Sequence, residues 1–316
     1  MQILFLNHKI KNCGVYQYGL RIHDILKKSN NVKYNYIEIE NIREYNDALS
    51  QPNIIAIIYN YHGSTMPWLN ETSIQRKVKN IGIPHESAEH FFDIICNIDP
   101  TAPESLNHYS LSRPIFENIG ELLNNYVPST QTIKEFIEYK EDNIPIFGSF
   151  GFGFGNKGFD KIVRMVNEQY DYAIIKFVIP DAFFDPNREN TANWMETLCI
   201  QVNSKPNIKL MISHEFFTTE DILKFLQLNT MNIFLYDDMF GRGVSSTIDY
   251  ALSVKRPLGI SNSYMFRNIY SDKICLYKVS IEQCIKTSFE YCSKFLQEYS
   301  HENLIKKIDE IVLRML

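Results

Sequence analysis

Residues 149–159 read Ser149-Phe150-Gly151-Phe152-Gly153-Phe154-Gly155-Asn156-Lys157-Gly158-Phe159, directly after the apolar run Ile144-Pro145-Ile146-Phe147. An apolar run, a glycine-rich turn and a segment of helical period (159–170) make a strand–turn–helix unit, the start of a βα repeat. Gly153 to Gly158 also spells G-x-G-x-x-G, the spacing of a dinucleotide-binding turn. Asp181 ends the next strand, where a ribose-binding acid would stand. Three features point away from a dinucleotide. The motif opens the second half of the chain rather than the first, Gly148 and Gly151 extend the glycine run upstream, and Lys157 places an ammonium inside the turn. A phosphate site made of backbone N–H groups and Lys157 accounts for the stretch better. A glycine turn with no ligand is the plain alternative.

Working outward, short β-branched runs alternate with longer segments of helical period, the pattern of parallel α/β sheets. Upstream, strands are expected at 3–7, 34–39 and 54–59, with a helix at 16–28; segments 61–70 and 98–114 read as surface loops. Downstream, helices are expected at 159–170, 191–202, 219–228 and 246–253, with strands at 144–149, 173–179, 208–212, 233–236 and 257–260. Thr218 or Thr219 before Glu220 and Asp221 is a helix start signal. The charged stretch 134–143 reads as a linker, and 281–299 and 302–316 as closing helices. The expected fold class is α/β, with two Rossmann-like parallel-sheet domains facing a cleft. The domains are expected at 1–135 and 144–285, with C-terminal helices over 286–316 packing back toward the first. Ligands of such sheets bind at the carboxyl ends of the strands.

At 316 residues the chain has room for two domains of about 150 residues, each with its own core. Hydrophobic residues make up 45% and charged residues 22%, ordinary for a water-soluble globular protein. A net charge of −5 argues against a nucleic-acid partner, which demands a basic surface. The six cysteines are scattered, with no C-x-x-C pair, and read as buried thiols rather than metal ligands or disulfides. The N-terminus shows no signal-peptide layout, and no apolar run approaches the roughly 20 residues of a membrane span. A cytoplasmic location is expected.

Two further stretches support a phosphate ligand. Asn12-Cys13-Gly14-Val15 is a glycine turn between the first strand and first helix, open to close backbone approach. Phe240-Gly241-Arg242-Gly243-Val244-Ser245-Ser246-Thr247 is a Gly/Ser loop before a helix; Ser245, Ser246 and Thr247 can cap it and offer N–H groups to a phosphate. The bland reading is a well-capped helix. Aromatics such as Trp68, Phe216 and Phe217 could line a sugar or base pocket, but with 21 Phe and 19 Tyr most aromatics belong to the core.

Taken together, these segments resemble the GT-B glycosyltransferases, most closely the retaining group called glycosyltransferase family 4. The resemblance rests on the first strand with Gly14, on Lys157-Gly158-Phe159-Asp160, and on Phe240-Gly241, Asp249, Ala251 and Pro257 in order. It implies a metal-independent transferase with no cofactor. A nucleotide sugar would be the donor, and a glycan or other acceptor would sit in the N-terminal half. Donor phosphate and nucleotide would be held by Gly14, Lys157, Arg242, Gly243, Ser245, Ser246, Thr247 and Asp249, with His214 at the base-binding loop. His62, just past the strand at 54–59, stands where the family carries a histidine near the donor sugar; His85 and His90 are weaker candidates. The departures are specific. The family has an arginine five residues before the lysine, where Phe152 stands. Its two glutamates eight positions apart fall on Arg242 and Tyr250 when counted back from Pro257, whereas aligning on Phe-Gly puts the first at Asp238. Asp238 is therefore the second catalytic candidate, Asp249 the substitute ribose acid, and Arg242 the substitute for the missing cation. A non-catalytic nucleotide- or sugar-binding GT-B-like protein is the alternative, and an NAD(P)-dependent oxidoreductase a further one. No membrane span is expected, and peripheral contact with a membrane is left open.

Overall fold

The computed structural model describes residues 2–86, 90–182 and 191–315. The chain divides into two compact units. The first comprises Met1–Pro114, Arg242–Ser246 and Glu298–Leu316, the second Ile115–Gly241 and Thr247–Gln297.

The first unit runs β1 (Gln2–His8), α1 (Gly14–Leu26), β2 (Tyr34–Ile39), α2 (Ile42–Leu49), β3 (Ile54–Tyr61), β4 (Lys79–Pro84), β5 (Ile94–Asn97) and β6 (His108–Ser110). These strands form one sheet in the order β2-β1-β3-β4-β5-β6, every pairing parallel. The two-residue period of β1 serves both faces. Ile3 and Phe5 enter one core with Ile22 and Ile25 of α1, while Leu4 and Leu6 enter the other with Tyr45 and Ala48 of α2.

The second unit runs α3 (Ile119–Leu123), α4 (Gln131–Glu138), β7 (Ile146–Phe150), α5 (Phe159–Gln169), β8 (Ala173–Val178), α6 (Thr191–Val202), β9 (Ile208–Ser213), α7 (Thr219–Leu228), β10 (Met231–Phe234), α8 (Thr247–Ser253), β11 (Leu258–Ile260) and α9 (Ile281–Glu298). Its sheet has the order β11-β10-β7-β8-β9, again all parallel. Thr218 caps α7 as read, in a capping box with Asp221. The last helix, α10 (His301–Leu313), returns to the first unit, where Leu304, Ile308 and Ile311 share a core with Ile3 and Phe5. Asp309 fixes it there, accepting from Ser29 Oγ (2.6 Å), Asn31 Nδ2 (3.2 Å) and Tyr34 Oη (2.6 Å).

Several expectations need correction. The first half of the stretch read as a linker, 134–138, is the end of α4. Thr130 caps this helix, and Ile133, Phe136 and Ile137 are buried with Phe217, Leu223 and Phe225. The hydrophobic face sat at helical spacing inside a charged segment, so polarity masked it. Residues 115–135 consequently belong with the second sheet rather than the first. The segment read as a loop over 98–114 contains β6, and β4 and β5 were not anticipated; Gly82 and Pro84 interrupt β4, Asn97 ends the short β5, and His108-Tyr109-Ser110 has no apolar run. Helix α2 was missed despite its cap, in which Asn41 accepts from Arg43 N and Glu44 N. All six cysteines are free, five of them buried. Among the described residues no helix is long and apolar enough to cross a membrane.

Candidate functional site

At the carboxyl edge of the second sheet, β7 ends at Phe150 and the glycine turn follows. Gly155–Lys157 is one turn of 3-10 helix, and Gly158 starts α5 at φ +65°, a backbone conformation that suits glycine. A side chain at Gly158 would come within 2.1 Å of the Leu235 carbonyl oxygen, and one at Gly153 within 2.7 Å of that of Thr191. Protein packing therefore explains two of the three fingerprint glycines without a dinucleotide.

The turn is pinned to the segment after β10, because Asp237 N donates to the Asn156 carbonyl (2.9 Å). That places Lys157 Nζ 4.0 Å from the centroid of the Tyr236 ring, a cation–π contact. Among the described residues Lys157 forms no ion pair. Lys161, one turn into α5, differs: it is ion-paired with Asp237, whose hydrogen bond raises the lysine's pKa above its usual value. The Tyr236 hydroxyl meets Thr247 Oγ1 at 3.3 Å, at the start of α8. The turn and the α8 start thus meet at Tyr236, which the sequence reading did not single out.

The other candidates of this unit have defined surroundings. Asp238 is exposed, and its carboxylate accepts from Tyr264 N (2.8 Å). His214, just past β9, bonds the Ile179 carbonyl through Nδ1 and Glu196 through Nε2, each at 2.8 Å. Burial lowers its pKa, but the Ile179 carbonyl, Glu196 and Asp181 outweigh that and raise it above 6.5. Asp249 is fully enclosed in α8.

The first unit gathers its polar groups at the carboxyl ends of β1, β3 and β4. Asn60 Nδ2 donates to Asn7 Oδ1 (2.8 Å) and to the Val15 carbonyl (2.7 Å), and its Oδ1 is 2.7 Å from His85 Nε2. His8 Nδ1 accepts from Ile10 N (3.1 Å) and the ring is buried; burial, then the nearby His62, pulls its pKa down to about 4. Nothing lies within 4 Å of where a side chain at Gly14 would start. His62 Nδ1 accepts from Ser64 N (3.1 Å), which leaves the proton on Nε2, 3.4 Å from Glu86. Glu86 in turn holds Arg242, and a side chain at Gly243 would come within 3.0 Å of the His85 carbonyl. Arg242, expected to supplement Lys157, therefore lies in the first unit with its guanidinium on Glu86. Gly243, Ser245 and Ser246 belong to the same unit, Ser245 being buried, whereas Thr247 begins the next stretch of the second unit. Glu86 was passed over in the sequence; its signal was its position directly after His85 at a strand end. His90 is exposed.

No protein-family model matches this chain, and no curated protein matches it by sequence. Solved structures do. A glycosyltransferase from Rickettsia africae is similar with a TM-score of 0.68 and 11% identity, over 99% of this chain and 98% of that one. HepE of Anabaena in complex with UDP and glucose is similar with a TM-score of 0.66 and 9% identity, over 99% of this chain and 100% of that one. The trehalose-6-phosphate synthase OtsA is similar with a TM-score of 0.64 and 10% identity, over 99% of this chain and 98% of that one. The chain has the GT-B fold of these glycosyltransferases, with its two parallel sheets. Identities of this size establish the fold; activity has to be argued from the site.

Proposed function

We propose that this protein is a nucleotide-sugar-dependent glycosyltransferase. It moves a sugar from a nucleoside-diphosphate donor to a glycan or other acceptor without a metal ion. The observation that carries the reading is the Lys157 ammonium, held at the carboxyl edge of the second sheet on an aromatic face rather than on a carboxylate. Glycosyl transfer breaks the bond from the anomeric carbon to a phosphate oxygen and leaves negative charge on the diphosphate. A cation placed there in advance lowers the barrier. Thr247 is the second arm of this phosphate site, and His214 marks the side on which the base would sit. His62 and Asp238 are assigned to the sugar, His62 as a donor through Nε2. The GT-B fold, and HepE's structure with UDP and glucose, support a nucleotide-sugar donor. Retention of configuration rests on the family 4 resemblance alone.

The test is a thermal-shift panel of UDP- and GDP-sugars, since a ligand of the folded state raises stability. Release of nucleoside diphosphate with an acceptor mixture is then followed in the presence of EDTA. Binding of a nucleotide sugar and release unaffected by EDTA are expected; no binding by any member overturns the reading. A second reading, a non-catalytic binding protein, is favoured by the enclosed Asp249 and by Arg242 lying on Glu86. It predicts binding without diphosphate release.

A further inference from the structure

The glycine turn and the start of α8 are far apart in sequence, yet one side chain touches both. We infer that Tyr236 is the positioning residue of the phosphate site. Its ring face carries the Lys157 ammonium and its hydroxyl meets Thr247, so one buried side chain sets both arms. The inference rests on reading the second unit as a nucleoside-diphosphate site.

Tyr236 is itself held. It is 2% exposed, and its ring packs against Phe266 with centroids 4.8 Å apart. Its carbonyl accepts from Ser261 Oγ (2.6 Å), and the next residue ties the segment to the turn through Asp237 N and the Asn156 carbonyl. A clamped ring beside a flexible lysine makes the ring the reference and the lysine the part that is placed.

The choice of a ring has a chemical consequence. A carboxylate in that position would neutralise the ammonium, as Asp237 does for Lys161 one turn along. An aromatic face attracts the cation through its quadrupole yet carries no net charge. Lys157 is therefore oriented while keeping its full unit charge, and its N–H groups that do not face the ring remain available to phosphate oxygens. The hydroxyl works at the other end of the same side chain. At 3.3 Å from Thr247 Oγ1 it orients that hydroxyl, whichever of the two donates.

The experiment uses the full chain and the variants Tyr236→Phe, Tyr236→Leu, Lys157→Ala and the double variant Tyr236→Leu/Lys157→Ala. Calorimetric titration with inorganic pyrophosphate, UDP and GDP gives the affinities, and thermal unfolding shows that each variant folds. Tyr236→Leu is expected to weaken binding about threefold to tenfold, the range of a partly desolvated cation–π contact. Tyr236→Phe keeps the ring under Lys157 and removes only the hydroxyl on Thr247, so it should cost about twofold to threefold, less than Tyr236→Leu. In the Lys157→Ala background Tyr236→Leu should cost only what the hydroxyl contributes through Thr247, the same factor as Tyr236→Phe costs the parent, because the ring acts through Lys157. A folded Tyr236→Leu that binds like the parent, or a loss as large without Lys157 as with it, overturns the proposal.

A second measurement needs neither ligand nor the leucine variant. NMR of the nucleotide-free parent should show the Lys157 ε-methylene protons shifted upfield by the ring, assigned by their absence in Lys157→Ala and retained in Tyr236→Phe. An unshifted lysine also overturns the proposal. A parent that binds none of the three probes removes the donor-site reading and the phosphate role with it, while the ring shift still decides whether Tyr236 places Lys157.

Discussion

Two lysines four residues apart show how little residue type says by itself. Lys161 spends its charge on Asp237, whereas Lys157 rests on a ring and keeps its charge available. A charge-assisted hydrogen bond to a diphosphate is worth about 1.5–3 kcal/mol, so Lys157→Ala should weaken nucleoside-diphosphate binding about tenfold to a hundredfold. Lys161→Ala, already neutralised, should change it by less than about threefold. Equal losses from both, read by calorimetry, would remove the distinction. His62 belongs to the other unit and holds its proton on Nε2 beside Glu86. His62→Ala should lower turnover by about a hundredfold, the scale of a lost proton-transfer or donor group, and leave nucleotide affinity unchanged. A variant that loses affinity but not turnover would place His62 outside the sugar's reach.

At the scale of elements, two buried charged side chains finish helices. Lys176 on β8 donates to the carbonyls of Phe136 (2.8 Å), Ile137 (3.0 Å) and Tyr139 (2.5 Å), closing the last turn of α4. Lys176→Met keeps the bulk but leaves those carbonyls without a donor, and should destabilise the second unit by about 1–3 kcal/mol. Asp221 accepts from Tyr126 Oη (2.7 Å), from Ser129 Oγ, and from Thr218 N (3.1 Å) and Oγ1 (2.8 Å), so it joins the loop before α4 to the start of α7. Asp221→Ala leaves the Thr218 cap but removes its reciprocal partner and strands buried donors; a loss of at least about 2 kcal/mol is expected. Urea unfolding checks both, followed by Trp194, the tryptophan of this unit, in a Trp68→Phe background. Unchanged midpoints would show that neither element end depends on these side chains.

For the molecule as a whole, the two units should answer acid differently. In the first, burial holds His8 at about 4 and His85 at about 3. Within those values burial is the largest cause; at His8 the nearby His62 adds to it and Glu38 partly opposes it, and at His85 Arg113, then His62 and His8, add to it. Their folded values lie below the unfolded 6.5, so the unfolded chain takes up protons first. Stability is complete above pH 6.5 and declines as the pH falls toward 4. In the second unit burial works against the Asp221 carboxylate, but its bonds from Ser129, Tyr126 and Thr218 prevail and set it below 3.8. Its contribution persists until the pH falls through that lower value. His214 has the opposite sign, since its raised value gives stability that is full below pH 6.5 and lost as the pH climbs past it. Single-tryptophan variants separate the units: between pH 6.5 and 4 the Trp68 midpoint in urea should fall while the Trp194 midpoint holds. Parallel decline of both would refute the assignment of these groups.

Legibility in the sequence followed the range of the interaction. Alternating apolar runs, the Thr218 cap and the glycine turn are local, and from them the parallel α/β class, most of the second sheet and the turn that carries Lys157 could be read from residues within a few positions of one another. Gly158 was legible as a turn residue for the same reason, although its contact with the Leu235 carbonyl was not. What depended on distant partners stayed hidden. Helix α4 looked like a linker because its core partners lie at 217–226, and the ion pair of Arg242 was not legible because Glu86 is 156 residues away. Tyr236 looked like one strand-end aromatic among 19 tyrosines until the fold brought Lys157 onto its face and Thr247 to its hydroxyl. Backbone period and turn chemistry act through neighbouring dihedrals and are written residue by residue. The company a charged or aromatic side chain keeps is set by chain segments that meet only once both sheets have formed.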